Sequence, residues 1–130
     1  MLTAKEIMTR EVITIRAEEP APEALFKLIE NQISGMPVVD DAGDMVGIIT
    51  EKDLLNLILS GSLPQAKVKE VMTRKVVSFP PDAPYEKLCL SLIEHNCRRI
   101  PIVEGKKVVG IVSRRDLLRE VSRFYGKKDG

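Results

Sequence analysis

The feature that most restricts the fold of this chain is an internal repeat, because two copies of one unit must fold alike. The segment KEIMTREVITI, which begins at Lys5, recurs as KEVMTRKVVSF from Lys69, an offset of 64 residues. The same offset aligns MPVVD from Met36 with IPIVE from Ile100. A single deletion then changes the offset to 63, which aligns VGIITEKDLL with VGIVSRRDLL. Two copies of one unit therefore occupy almost all of the 130 residues.

Each copy contains the same order of predicted elements. Short alternating stretches indicate a first strand over 12–15 in one copy and over 76–79 in the other. Prolines then open a helix at its first turn, and these are Pro20, Pro22, Pro80, Pro81 and Pro84. Two apolar runs separated by turn residues predict a hairpin, which leads into a second helix near Thr50 and near Ser113. The predicted fold is mixed α+β, a βαββα unit repeated twice.

The first helix of each copy is predicted to bury one face. Apolar residues recur there at helical spacing in both copies. They are Leu25, Leu28, Ile29 and Ile33 in the first copy and Leu88, Leu92, Ile93 and Cys97 in the second.

The repeat divides the sequence into a first copy at 1–60, a linker at 61–67, a second copy at 68–124 and a basic tail at 125–130. Neither copy alone is large enough to bury much apolar surface. We therefore expect the copies to pack on one another about a pseudo-twofold axis as one module.

The composition is that of an ordinary globular protein, with 44% hydrophobic and 30% charged residues. No apolar run reaches the ~18 residues that indicate a membrane span, and the first ten residues carry charge instead of an apolar signal core. These features predict a cytoplasmic protein. The net charge of +1 conceals an acidic half, −6 over 1–64, and a basic half, +7 over 65–130.

The cysteines and the single histidine are interpreted as structural residues. Cys89 and Cys97 form neither a CxxC motif nor a disulfide framework, and His95 has no Cys or His neighbour at metal-ligand spacing apart from Cys97. We expect packed thiols, a surface histidine at a helix end and no metal site.

The start of the second helix carries a hydroxyl residue three positions before an aspartate in both copies, as Thr50 with Asp53 and Ser113 with Asp116. One interpretation is a capping box that satisfies free backbone N–H groups. The other is a ligand site, because helix N-terminal amides suit phosphate and a carboxylate can accept hydrogen bonds from both ribose hydroxyls. A glycine three positions before each hydroxyl residue favours the second, since it would admit a ligand closely.

Three motifs occur in the same order in both copies: the IMTR and VMTR openings, the GMPVVD and RIPIVE segments and the two G-h-h-[TS]-x-x-D-L-L endings. Together they resemble a tandem pair of CBS domains over about residues 5–122. The resemblance implies that the pair forms one unit, a Bateman module, of a kind that commonly dimerises through its helices. It also implies two clefts between the copies. These would accept AMP, ADP, ATP or S-adenosylmethionine as regulatory ligands, with no cofactor required.

By this resemblance each cleft takes contacts to the base from one copy and the hydroxyl and ribose carboxylate from the other. One cleft would comprise Met8, Ile13, Ile33, Gly35, Met36 and Pro37 with Ser113 and Asp116. The other would comprise Met72, Val77, Cys97, Arg99, Ile100 and Pro101 with Thr50 and Asp53. Ordinary core packing is the competing interpretation of Ile13, Ile33, Val77 and Cys97.

The two predicted clefts differ in charge. Arg98 and Arg99 stand where the first copy has Ser34 and Gly35, so that only one cleft has a cation placed to meet phosphate. If a single cleft binds a nucleotide, we expect it to be the one with Arg99. The competing interpretation is a solvated turn.

No catalytic constellation or phosphate-loop motif is present in the sequence, which predicts a non-enzymatic protein. The resemblance to CBS pairs implies a regulatory, energy-sensing module that passes its ligand state to an enzyme or transporter. An alternative lies in the last helix, where Arg115, Arg119 and Arg123 are followed by Lys127 and Lys128 and could bind nucleic acid or an acidic partner. A further alternative is a dimerising scaffold with empty clefts.

Overall fold

The computed structural model describes residues 2–126, which fold into two compact units. One, named here the middle unit, comprises residues 13–76. The other, the end unit, combines the chain up to Val12 with the chain from Val77 onward. Each unit has its own core of buried apolar side chains.

The secondary structure consists of short strands and helices connected by tight turns. In chain order the elements are α1 (Ala4–Ile7), β1 (Ile15–Arg16), α2 (Ala21–Asn31), β2 (Gly35–Val39), β3 (Met45–Thr50), α3 (Glu51–Ser60), a 3-10 turn (Leu63–Gln65), α4 (Val68–Val71), α5 (Tyr85–Glu94), β4 (Arg99–Glu104), β5 (Lys107–Ser113) and α6 (Arg114–Phe124).

The predicted mixed α+β fold is confirmed. In the middle unit β1 runs parallel to β2, and β2 pairs antiparallel with β3. In the end unit β4 and β5 form the corresponding antiparallel hairpin, and Phe79 makes a single parallel bridge to Ile102. Both hairpins lead directly into a helix, as the sequence predicted.

The first strand of each repeat is shorter than predicted. Parallel pairing is confined to Ile15 and Arg16 in the middle unit and to Phe79 in the end unit. The reason lies in the partner strand, where Pro37 or Pro101 stands next along the ladder. A proline nitrogen cannot donate a hydrogen bond, so the parallel ladder stops there.

The buried faces of α2 and α5 include fewer residues than the spacing of apolar residues in the sequence predicted. Leu28 and Leu92 are buried, but the adjacent Ile29 and Ile93 are 70% and 77% exposed. Successive residues point about 100° apart on a helix, so only one of each pair reaches the core. The predicted Ile33 and Cys97 lie beyond the ends of α2 and α5 and are partly buried in the following turns.

The short helix α4, which opens the second repeat, packs in the middle unit with elements of the first repeat. Val68 is fully buried, and its amide donates to the Glu19 carbonyl at 2.9 Å. Glu18 accepts from Lys67 at 3.3 Å and from Lys69 at 2.9 Å. These hydrogen bonds to Lys69 and Lys67, with the two positive charges, hold the pKa of Glu18 below its usual value.

The equivalent helix α1, which opens the first repeat, packs in the end unit with elements of the second repeat. Ala4 is fully buried, and its amide donates to the Ala83 carbonyl at 2.9 Å. The Tyr85 amide donates to the Leu2 carbonyl at 3.0 Å, while its hydroxyl donates to the Leu117 carbonyl and so joins α5 to α6. Burial is the largest of the causes that raise the pKa of Tyr85 to about 12.

The compact units therefore do not coincide with the sequence repeats, because each repeat contributes its opening segment to the other unit. This exchange also reduces the charge asymmetry. Counted over the units, the middle unit carries −3 and the end unit +4, against −6 and +7 for the two halves of the sequence.

Candidate functional site

The junction between β3 and α3 forms a reciprocal capping box. The Thr50 amide donates to Asp53 Oδ2 at 2.9 Å, and the Thr50 hydroxyl donates to the same oxygen at 3.0 Å. The Asp53 amide in turn donates to Thr50 Oγ1 at 3.3 Å. The capping interpretation is confirmed here, and it fixes the carboxylate at the helix start.

The junction between β5 and α6 repeats this geometry and adds a cation. The Ser113 amide donates to Asp116 Oδ2 at 2.8 Å, and the Asp116 amide donates to Ser113 Oγ at 3.1 Å. Arg119 Nη1 donates to the other carboxylate oxygen, Asp116 Oδ1, at 3.0 Å. Both oxygens of Asp116 are therefore engaged.

The backbone amides at these helix starts are less available than the sequence suggested. Besides the capped residues, the amide of Glu51 donates to the Ser34 carbonyl at 3.0 Å, and that of Arg114 donates to the Arg98 carbonyl at 3.1 Å. Most donors that a helix N-terminus could offer to phosphate are thus already used. The carboxylates are the more distinctive chemical feature of both junctions.

The glycine of the middle-unit motif makes room for the chain itself. A Cβ added at Gly47 would lie 2.7 Å from the Thr73 carbonyl oxygen and 2.8 Å from Met72 Sδ. Two backbone hydrogen bonds, 2.9 and 2.8 Å long, join Ile48 and Thr73 and hold this contact. Gly47 therefore accommodates Met72 and the Thr73 carbonyl, and the close approach of a ligand at this glycine stays a prediction.

The end unit shows the same arrangement around its glycine. The side chain of Met8 lies against Gly110, where a Cβ would come within 2.6 Å of Met8 Cγ. Thr9 and Ile111 exchange backbone hydrogen bonds of 2.8 and 2.9 Å. Here too the glycine accommodates a side chain of its own unit, and close ligand approach at this glycine also stays a prediction.

The arginine that ends each Met-Thr-Arg motif has a structural partner as well. Arg10 donates to the Lys5 carbonyl at 3.2 Å, and Arg74 donates to the Lys69 carbonyl at 3.3 Å. Both arginines fold back on the short helix that precedes them, where a cation near the C-terminal carbonyls is favourable. The repeated motif is thus explained by packing within each unit.

The predicted ligand residues divide equally between the units. The middle unit holds Ile13, Ile33, Gly35, Met36, Pro37, Thr50, Asp53 and Met72. The end unit holds Met8, Val77, Cys97, Arg99, Ile100, Pro101, Ser113 and Asp116. Each unit therefore brings together residues from both predicted clefts, and the grouping of these residues into clefts stays a prediction.

Strand register places the opening residue of each hairpin beside its capping box. Gly35 pairs directly with Thr50, and Arg99 pairs directly with Ser113. Directly opposite residues present their side chains on the same face of the sheet. The next residues in the predicted sets, Met36 and Ile100 with the following prolines, are fully buried in the core.

The cysteines and the histidine have structural surroundings. Cys89 and Cys97 are free thiols, both partly buried, and burial raises the pKa of Cys97. His95 is the exposed C-cap residue of α5, as the sequence predicted. Residues 2–126 contain no cluster of three or more His, Cys, Asp or Glu side chains arranged to hold a metal ion.

The arginine stripe of α6 is partly neutralised within the helix. Arg119 pairs with Asp116 at 3.0 Å, and Arg123 pairs with Glu120 at 3.4 Å. These pairs lower the positive charge that the stripe could offer to a polyanion. Lys127 and Lys128, the other part of the predicted basic surface, lie outside the described residues.

The sequence analysis did not identify Arg119 as a neighbour of the capping-box aspartate. The sequence places Arg119 in the basic stripe of the last helix, whereas its guanidinium donates to the aspartate of the second capping box. Its position three residues after Asp116 was the available signal, since such residues are neighbours on a helix surface.

Comparison with known proteins identifies related sequences and structures. The family model of the CBS domain matches the chain twice, over residues 4–60 and 68–123. The CBS domain pair of protein MJ0100, solved in complex with 5′-methylthioadenosine and S-adenosyl-L-methionine, superposes with a TM-score of 0.81 and 30% identity and covers 97% of both chains. CBSX2, solved in complex with AMP, gives a TM-score of 0.87 at 26% identity over 96% of this chain and 99% of that one.

A curated relative carries an enzyme name. L-Aspartate semialdehyde sulfurtransferase of Methanocaldococcus jannaschii is 31% identical over 125 residues, which is 95% of this chain. The chain spans only 23% of that enzyme's length, so the similarity transfers no catalytic activity. Among the helices of residues 2–126, none combines the length and apolar character that a membrane-spanning helix requires.

Proposed function

Because the chain belongs to the CBS domain family and carries two such domains in tandem, we propose that it is a regulatory module that binds adenosine-containing ligands. The ligand class comprises AMP, ADP, ATP and S-adenosylmethionine. The module performs no chemistry on the ligand, and it passes the ligand state to a partner protein such as an enzyme or a transporter. The ligands in the solved structures of MJ0100 and CBSX2 support this class.

The observation that carries the proposal is the state of the Asp53 carboxylate. Its Oδ2 is held by Thr50, whereas Oδ1 receives no hydrogen bond or ion pair from any residue in 2–126. A fixed carboxylate with one open oxygen can accept hydrogen bonds from ribose hydroxyls, and such charge-assisted bonds are strong. Asp53 is therefore the proposed ribose acceptor, oriented by Thr50.

The remaining residues supply weaker support. Arg99 is the proposed phosphate contact, because a guanidinium forms bidentate hydrogen bonds with phosphate. The apolar residues of the predicted sets would contact the base, although several of them are core residues with little exposed surface. Their grouping with Asp53 around one ligand is part of the proposal.

A thermal-shift panel tests this function. A ligand that binds only the folded protein raises its stability, by about 2.7 kcal/mol at a hundred times its Kd. We expect at least one of AMP, ADP, ATP, S-adenosylmethionine and 5′-methylthioadenosine to raise the Tm by several degrees, with GMP as the matched control. An unchanged Tm with all five at millimolar concentration would contradict the proposal.

We also propose that a second copy of the chain covers the exposed apolar helix faces, in line with the dimers that the family resemblance implies. Large apolar side chains on α2 and α3 and on α5 and α6 are exposed to solvent. They are Phe26, Ile29, Leu55, Ile58 and Leu59, with Leu90, Ile93, Leu118, Val121 and Phe124.

Sedimentation equilibrium tests the dimer. We expect twice the chain mass for the wild type and a shift toward the monomer for Ile93→Glu, because the buried charge would lack a partner. Glu94→Lys, at the exposed neighbouring position, is the control and should leave the dimer intact. A wild-type protein that sediments as a monomer at ~100 μM, well above the Kd of a specific interface, would contradict the proposal.

A further inference from the structure

We propose that Arg119 lowers ligand affinity at the capping box of the end unit and so makes the two boxes unequal. The inference rests on the proposed function, because it concerns the same ribose-binding carboxylates. It goes further in that it assigns a role to a residue outside the predicted ligand sets.

The difference between the boxes lies in one carboxylate oxygen. In both boxes the hydroxyl residue's amide donates to Oδ2, at 2.9 Å for Asp53 and 2.8 Å for Asp116. Arg119 then donates to Asp116 Oδ1 at 3.0 Å, whereas the hydrogen bonds that Asp53 accepts from residues within 2–126 all go to its Oδ2. A ribose that approaches Asp116 must share or displace a guanidinium, and one that approaches Asp53 need not.

The exposed fractions of the two side chains indicate how strongly Arg119 competes with a ribose hydroxyl for Asp116. The side chain of Asp116 is only 10% exposed, so few other directions remain from which a hydroxyl can reach it. The side chain of Arg119 is 54% exposed and can turn into solvent when displaced. A half-exposed ion pair is weak. Arg119 should therefore reduce the affinity of the end-unit box without abolishing binding.

The sequence repeat identifies the matched residue in the other box. The offset of 63 that aligns Asp53 with Asp116 also aligns Asn56 with Arg119. Asn56 is exposed on α3 and carries no charge. The alignment therefore suggests two reciprocal substitutions, Arg119→Asn and Asn56→Arg, each of which introduces the residue found at the equivalent position of the other repeat.

Calorimetric titration of the full chain with adenosine and with AMP tests the inference. Adenosine probes the ribose contact without a phosphate. Arg119→Asn is expected to tighten the weaker adenosine site about fivefold, the upper effect of a half-exposed ion pair. Asn56→Arg should weaken the tighter site by a similar factor. Arg123→Asn, which removes the same charge from the same helix away from Asp116, should change neither site by more than twofold.

The outcomes separate this inference from the function on which it rests. Wild-type binding that Arg119→Asn leaves unchanged would overturn the inference and retain the proposed function. Weaker AMP binding with unchanged adenosine binding in Arg119→Asn would make Arg119 a phosphate contact and would also overturn it. Absence of binding of either probe to every variant would overturn both.

Discussion

Asp53→Asn is expected to weaken AMP binding at the middle-unit box about tenfold to a hundredfold, which corresponds to the loss of one charge-assisted hydrogen bond. The amide keeps the size of the side chain, and its oxygen can still accept from the Thr50 amide, so the helix start should remain formed. The negative charge that strengthens bonds from ribose hydroxyls is lost. Calorimetric titration with AMP measures the change directly.

The control for this variant is a chemically matched substitution at another capping box. Glu6 occupies the same position in α1, where the Thr3 amide donates to it at 2.8 Å. Glu6→Gln therefore removes a capping charge that no predicted ligand set includes. AMP affinity within twofold of wild type is expected for Glu6→Gln, and the same result for Asp53→Asn would show that Asp53 does not bind the ribose.

Gly47→Ala is expected to lower the free energy of unfolding by about 2–4 kcal/mol, the sum of overpacking and weakened backbone hydrogen bonds. The new Cβ would stand 2.7 Å from the Thr73 carbonyl oxygen. This oxygen accepts from the Ile48 amide, and the Thr73 amide donates to the Ile48 carbonyl, so two hydrogen bonds hold the Thr73 backbone in place. Backbone cannot move aside there without loss of those bonds. Urea denaturation of the variant and the wild type measures the difference.

Gly110→Ala provides the informative comparison, because the atoms it meets belong to the side chain of Met8. A flexible thioether can rotate away, so the cost should be smaller than for Gly47→Ala. Met8→Ala should also suppress most of the Gly110→Ala effect in a double-mutant cycle, whereas Met72→Ala should not rescue Gly47→Ala. Equal costs at both glycines, with equal rescue, would contradict this account of the contacts.

The capping boxes and turns of the chain could be predicted from the sequence because they depend on residues only a few positions apart. The Thr-x-x-Asp and Ser-x-x-Asp patterns gave both capping boxes, since a hydroxyl and a carboxylate at that spacing satisfy each other's amides. Turn residues likewise indicated the hairpin between β2 and β3, where Asp40 accepts from the amides of Ala42 and Asp44 at 2.9 Å.

The structure differs from the sequence prediction where a residue far away in the sequence determines the local conformation. The first strands are short because Pro37 and Pro101 limit the partner strand, a restriction that the alternating pattern of the strand itself does not contain. The exchange of opening segments could not be predicted either, because two similar repeats offer similar docking surfaces to α1 and α4. That exchange in turn explains why Gly47 lies against Met72 and Gly110 lies against Met8.

The sequence identifies the candidate residues of the site, which stay a prediction, but it reveals only part of the difference between the two capping boxes. Both aspartates were evident from the repeat, and Arg99 indicated one asymmetry between the copies. The contact of Arg119 with Asp116 introduces another, which depends on a side-chain conformation. Because Arg119 occupies Asp116, the box formed by Thr50 and Asp53 is the proposed stronger ribose acceptor.

The most direct test of the central claim is calorimetric titration of the wild-type chain with AMP, S-adenosylmethionine and GMP. We expect saturable binding of at least one adenosine ligand, with the tighter site weakened about tenfold to a hundredfold in Asp53→Asn and no binding of GMP at the same concentration. Absence of heat from every adenosine ligand at millimolar concentration, or equal binding of GMP and AMP that Asp53→Asn leaves unchanged, would contradict it.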